Sequence, residues 1–208
     1  MTRQNNIQLA NCDITTDFNK HLDRGECFAL RDFKPSDQIF IFYGSRPNAD
    51  LFLHNGFVYP KNQHDSISIT LGVSSSDSLR ETKVELLTKL GLAGITHYHL
   101  YRGDNPISAE LLAFIRIFNM NQGSTGDLVS SDEISSQAVG AEIDRRARAY
   151  LRTRCQLIRA SYKTSEKGPT SVHRNNIKLL KECEVQILEG AIQHLTEAPQ
   201  QIATDEKK

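Results

Sequence analysis

Cysteine pairs, net charge and long apolar runs are all missing from this 208-residue chain. The cysteines (Cys12, Cys27, Cys155 and Cys183) stand far apart, with no C-x-x-C among them. That argues against a zinc knuckle or a secreted disulfide framework, and reduced thiols of a cytoplasmic protein, with the nucleus as a second location, are expected instead. Lys and Arg number 25, as do Asp and Glu, so the formal net charge is zero. Without a basic excess there is no footprint of a phosphate-backbone binder, and no nucleic-acid partner is expected. No segment approaches the roughly 18 to 20 apolar residues of a membrane span. The start, MTRQNNIQLANCD, is read as neither a signal nor a transit peptide. No internal repeat is evident, and the length suits one domain or two small ones.

What is present falls into two kinds of periodicity. Up to about Val73 the chain is turn-rich and strand-like. Cys27 to Leu30 is a short strand candidate, Ile39 to Phe42 reads as a buried strand of β-branched and aromatic residues, and Ser66 to Leu71 alternates polar and apolar. From Ser76 onward the pattern is helical. Ser78-Leu79-Arg80-Glu81 has capping-box form, Leu79, Leu86, Leu87 and Leu90 suit one buried face, and Gly91 is a stop. A second helix is expected from Asn105-Pro106, carrying Leu111, Leu112, Ile115 and Phe118. Two longer ones are expected from about Ser136 to Tyr162 and from about Thr170 to Thr196. The last carries a stripe of Ile177, Leu180, Ile187, Ala191 and Leu195. Gly123 to Gly126 reads as a loop, and Lys167-Gly168-Pro169 as a break that lets the long helices pack antiparallel.

The densest information lies in Asp37 to Phe57, DQIFIFYGSRPNADLFLHNGF. An apolar strand ends on Tyr43-Gly44, a turn carrying Arg46 follows, then Asn48, an apolar run and Asn55-Gly56-Phe57. By itself Tyr43 reads as a strand-end tyrosine with a buried ring and a wet hydroxyl. Arg46 reads as a solvated turn residue, and Gly56-Phe57 as a turn glycine beside a core phenylalanine.

In order, however, these residues resemble the C-terminal part of a SET domain, in the branch of the actin-histidine and Rubisco large-subunit methyltransferases. Leu71-Gly72-Val73-Ser74 and Asn105-Pro106-Ile107-Ser108, leading into Leu111 to Arg116, resemble the helical substrate-binding domain of the same branch. The opening Met1-Thr2-Arg3-Gln4-Asn5 resembles a segment whose arginine contacts the cofactor and whose asparagine lines the histidine pocket. The resemblance implies a SAM-dependent protein-histidine methyltransferase with S-adenosylmethionine (SAM) as cofactor and a protein substrate, actin; lysine methylation is the alternative within the class. It implies Tyr43 and Asn5 as catalytic, Arg3, Asn55, Gly56 and Phe57 as cofactor-binding, and Asn5 and Arg46 as substrate-binding, with no metal. An asparagine can fix the tautomer of a substrate histidine without adding charge.

The expected fold class is α+β. A C-terminal remnant of a SET β-domain, with a knot-like segment, occupies 1–73, an all-α substrate-binding domain 74–198, and a disordered tail 199–208. The family also carries a long N-terminal portion and an Asn-His pair that holds the cofactor. Here only NIQLANC separates Asn5 from Asp13, with Asn11-Cys12 as the nearest substitute. The expectation is therefore a shortened enzyme, a monomer, with a non-catalytic actin-binding module as the alternative function. His97-Tyr98-His99 is read as a pair of loop or helix-end histidines rather than a metal site. The arginines at 145, 146, 148, 152 and 154 are read as a solvated helix face that could meet an acidic partner.

Overall fold

The computed structural model describes residues 13–121, 133–163 and 171–197. Arg3 and Asn5 lie outside them, as do the loop at 123–126, the break at 167–169 and the tail at 199–208. The chain divides into two compact units, Met1–Arg46 and Pro47–Lys208. The boundary expected after Val73 falls inside the second.

In the first unit β1 (Ile14–Asn19) pairs antiparallel with β2 (Arg24–Ala29), from Ile14 opposite Ala29 to Asn19 opposite Arg24. Asn19 Oδ1 accepts from the backbone N–H of His21 and of Leu22, which closes the turn. The buried strand expected at Ile39–Phe42 is not found. These residues belong to no sheet and are between 42 and 55% exposed. Apolar β-formers need a partner edge to become a strand. Phe40 is attached by a reciprocal pair: Asp13 N donates to Phe40 O at 3.0 Å and Phe40 N donates to Asp13 Oδ2 at 2.9 Å.

The second unit opens with α1 (Asn48–Asn55), where the sequence suggested no helix. The hairpin of β3 (Ser66–Thr70) and β4 (His97–Tyr101) follows, its strands separated by α2 (Arg80–Lys89). The alternation expected in Ser66 to Leu71 is real: Ile67, Ile69 and Leu71 are buried, and Tyr98 and Leu100 answer them from β4. His97 and His99 therefore sit on a strand, not at a loop or helix end. The region expected to be all-α contains this strand within an α+β fold.

Helix α2 ends as Gly91 requires. The glycine adopts φ +70°, Gly91 N donates to Thr88 O, and Leu92 N donates to Leu87 O at 2.8 Å. Its start differs from the expected capping box. Asp77 Oδ1, not Ser78, accepts the Leu79 N–H, and Leu90 of the expected apolar face is 57% exposed.

Helix α3 (Ala109–Phe118) starts three residues after the proline expected to open it. Pro106 O instead accepts the Tyr101 N–H and Ile107 bridges to Leu100, so the pair extends the sheet. Ser108 then caps α3 by accepting from Leu111 N.

The long helices α4 (Glu133–Ser161) and α5 (Val172–Thr196) pack on one another, α4 also on α3, and α5 also on α1, β3 and β4. On α4, Ile143, Ala147, Leu151 and Cys155 recur every fourth residue and are buried. Ile187, Ala191 and Leu195 do the same on α5, whereas Ile177 of the expected stripe is 43% exposed. From β4 through α3 to α4, Tyr98, Phe114, Phe118 and Tyr150 form an aromatic ladder with centroid spacings of 4.8, 6.1 and 5.0 Å. No helix among the described residues is long and apolar enough to cross a membrane.

Candidate functional site

The expected site residues are divided between the two units. In the first, Tyr43 stands before Gly44, whose φ of +87° needs glycine, and Arg46 follows. Tyr43 is 40% exposed, Arg46 is exposed, and both engage neighbouring groups. The ring of Tyr43 is thus not the buried core ring that a strand end would make it.

In the second unit, Asn55, Gly56 and Phe57 leave the C-terminus of α1. Gly56 caps the helix at φ +77°, its N–H donating to Phe52 O. Asn176 of α5 donates from Nδ2 to Gly56 O at 2.8 Å, which ties the segment to the last helix.

What holds α1 is a buried polar pair that the sequence did not reveal. Asn48 and Asp65 are 0 and 1% exposed. Asn48 N donates to Asp65 Oδ1 at 2.8 Å and Asn48 Nδ2 donates to Asp65 Oδ2 at 2.6 Å. Asn48 Oδ1 accepts from Tyr59 N, and Ser66 N donates to Asp65 Oδ1. A carboxylate can be taken out of water when donors from several segments replace its hydration. Together these bonds clamp the start of α1, the loop after it and the start of β3 around the Asn48–Asp65 pair. Asp65 was missed because His64-Asp65-Ser66 has the composition of any turn. Asn48 was noticed only as part of the longer run.

The second unit carries further polar groups. Arg102 donates to Pro60 O and to Gln186 Oε1, bracing the same loop against α5. Burial, and then the nearby charge of Asp65, pushes the Cys183 thiol up. Glu184 accepts the Tyr162 hydroxyl at 2.9 Å and is also held above the usual carboxylate range by burial. Lys83, 4% exposed, donates to Asp77 Oδ2 and to Phe118 O, both at 2.8 Å, and joins α2 to α3.

The arginine cluster of α4 is partly internal. Arg145 and Arg146 both donate to Glu142, whose carboxyl they hold down at about 2. Arg148 donates to His194 O at the end of α5 and lies 3.6 Å from Asp144.

Residues 74–197 match the family model described as Rubisco LSMT substrate-binding. An actin-histidine N-methyltransferase of Danio rerio is 35% identical over 92% of this chain. The chain belongs to the SET methyltransferase branch. Actin-histidine N-methyltransferases of Xenopus tropicalis and Homo sapiens are 38 and 37% identical over 86 and 78% of it. The SET-branch chain spans only 38, 34 and 29% of the length of these three curated relatives. Among solved structures, Rubisco LSMT bound to AdoMet has a TM-score of 0.64 at 16% identity, covering 82% of this chain and 43% of that one. The SET domain of LSMT bound to lysine and AdoHcy has a TM-score of 0.60 at 17% identity, covering 77 and 40%. These two give the fold: a SET-type α+β architecture joined to the helical substrate-binding part.

Proposed function

We propose that this protein is a SAM-dependent methyltransferase that modifies a histidine of actin, its helical unit holding the substrate protein. The observation that carries this is the 35% identity to an actin-histidine enzyme over 92% of the chain. A match of that extent necessarily runs through Tyr43, Arg46 and Asn55-Gly56-Phe57 as well as the helices. The location that fits such a substrate is the cytoplasm, with the nucleus second.

SAM supplies an electrophilic methyl group on a sulfonium sulfur. The described residues do not make a cradle for it on their own. A Cβ built on Gly56 meets nothing within 4 Å, and the Gly56 carbonyl is already taken by Asn176. Asn55 is exposed and Phe57 only half-buried. The roles of Arg3 toward the cofactor and of Asn5 toward the substrate ring fall outside the described residues. In this reading Tyr43 brings a hydroxyl to the reacting histidine. Arg46 contacts the peptide that bears it, and Asn5 bonds one ring nitrogen so that the other is free to attack.

The test is transfer of label from radioactive SAM to actin by the full chain. A histidine label is expected, reduced about tenfold or more in Tyr43→Phe through loss of a positioning hydroxyl. Undiminished labelling by that variant would remove Tyr43 from the site; absence of label despite actin binding would favour the second reading.

That second reading is a non-catalytic actin-binding module. It is favoured by the exposure of Ile39 to Tyr43, between 40 and 55%, which contrasts with the well-packed core of the helical unit.

A further inference from the structure

Where α4 passes the end of α5, a groove of about 420 Å³ opens, lined by Arg145, Arg148 and Arg152, with Ala149 and Leu195 as its apolar part and Asp144 and Glu197 as its acidic one. The arginines stand three and four residues apart, so one helix face carries all three. Two of them are held by neighbours, Arg145 by an exposed pair on its own helix and Arg148 by the end of α5. Glu142 takes two donors of Arg145 at 2.7 and 2.8 Å. Arg148 is fixed by the His194 carbonyl at 3.3 Å, and its Nε is buried without a hydrogen bond. Arg152 is half-buried in the groove and makes no hydrogen bond or ion pair among the described residues.

A guanidinium offers five N–H donors in a rigid fork that matches a carboxylate. Side chains held beforehand lose little freedom on binding, although Glu142 already takes the Nε and Nη2 donors of Arg145, which leaves that residue its Nη1 and a supporting role. The apolar part accommodates the stems between charges. Asp144 and Glu197 line the same groove and would repel a continuous polyanion, whereas isolated carboxylates on a peptide can avoid them.

We propose that this groove docks an acidic peptide segment of the substrate protein, with Arg152 as the principal ion-pair donor and Arg145 and Arg148 in support. The proposal rests on the helical unit being a substrate holder and names where and by what chemistry it holds.

The test uses the full chain and a fluorescein-labelled peptide with Glu at every fourth position among Ser and Ala, with the matching Lys peptide as control, read by fluorescence anisotropy. The acidic peptide is expected to bind, the basic one not. Arg152→Glu should weaken binding about tenfold or more at low salt, with the melting temperature unchanged, and Arg152→Lys should restore part of the loss. Actin binding is then measured with the same variants. Equal peptide affinity in wild type and Arg152→Glu overturns the groove proposal, even if actin still binds, in which case the substrate-holder reading survives. Arg152-dependent peptide binding without any actin binding keeps the groove and overturns actin as its occupant.

Discussion

Asn48 and Asp65 form the contact most exposed to single-residue change. Removing the amide in Asn48→Ala leaves a carboxylate oxygen in a 1% exposed position without its side-chain donor. The cost is the desolvation of that charge, about 3 kcal/mol, rather than the modest net worth of one hydrogen bond. Urea denaturation should show that loss in the unfolding of the second unit, and a change below about 1 kcal/mol would mean the carboxylate finds another donor. Neither partner announces itself in the sequence. Asn48 follows a proline and Asp65 precedes a strand, places where such residues usually serve turns, and only the fold sets them together across the loop between α1 and β3. Tyr43 is the opposite case. Its neighbourhood was legible from residue order, yet its exposure was misjudged because the expected strand finds no partner edge and the residue is left 40% exposed.

At the scale of elements, the signals that acted locally were read well and those needing a partner were not. Gly91 stops α2 because an αL residue is required there, and Ser108 caps α3 through its own hydroxyl. Two glycines give predictions of opposite sign. Gly91→Ala forces a side chain into φ +70° and should cost about 1 kcal/mol. Gly190→Ala, inside α5 with nothing within 4 Å of the new Cβ, should gain about 0.5 to 1 kcal/mol. Thermal melting of the two variants checks both, and a shift in the same direction for each would contradict the assignment of their backbones. Pro106 was misplaced for a reason of the same kind: a proline suits a helix start, but it also suits an extended segment, and here Tyr101 needed its carbonyl.

At the scale of the molecule, α4 and α5 bring ionisable groups into a shared interior, and pH should reveal it. Burial raises the Glu184 carboxyl above its ordinary value, with the Tyr162 hydroxyl bond opposing that shift only in part. A carboxyl raised in the folded state stabilises the fold most below its unfolded pKa. That contribution fades as pH rises through the folded value. Glu184→Gln removes the ionisation while its amide oxygen can still accept from Tyr162. The variant should therefore melt at or above the wild-type temperature at pH 7.5, with the difference shrinking toward pH 4. A variant that melts lower at pH 7.5 would show that the charged form is the stabilising one.

Residue order alone determined the branch, the α+β class, the four helices from α2 onward and the β3 alternation, because helical stripes, caps and short motifs are properties of adjacent residues. Tertiary structure decided that Asn48 to Asn55 is a helix clamped by Asp65, and that His97 to Tyr101 is a strand paired with β3. It also left Ile39 to Phe42 outside any sheet and set Arg152 in a groove beside the end of α5. Each of these depends on which distant backbone edge, carbonyl or carboxylate comes within hydrogen-bonding reach, and no local pattern encodes that distance.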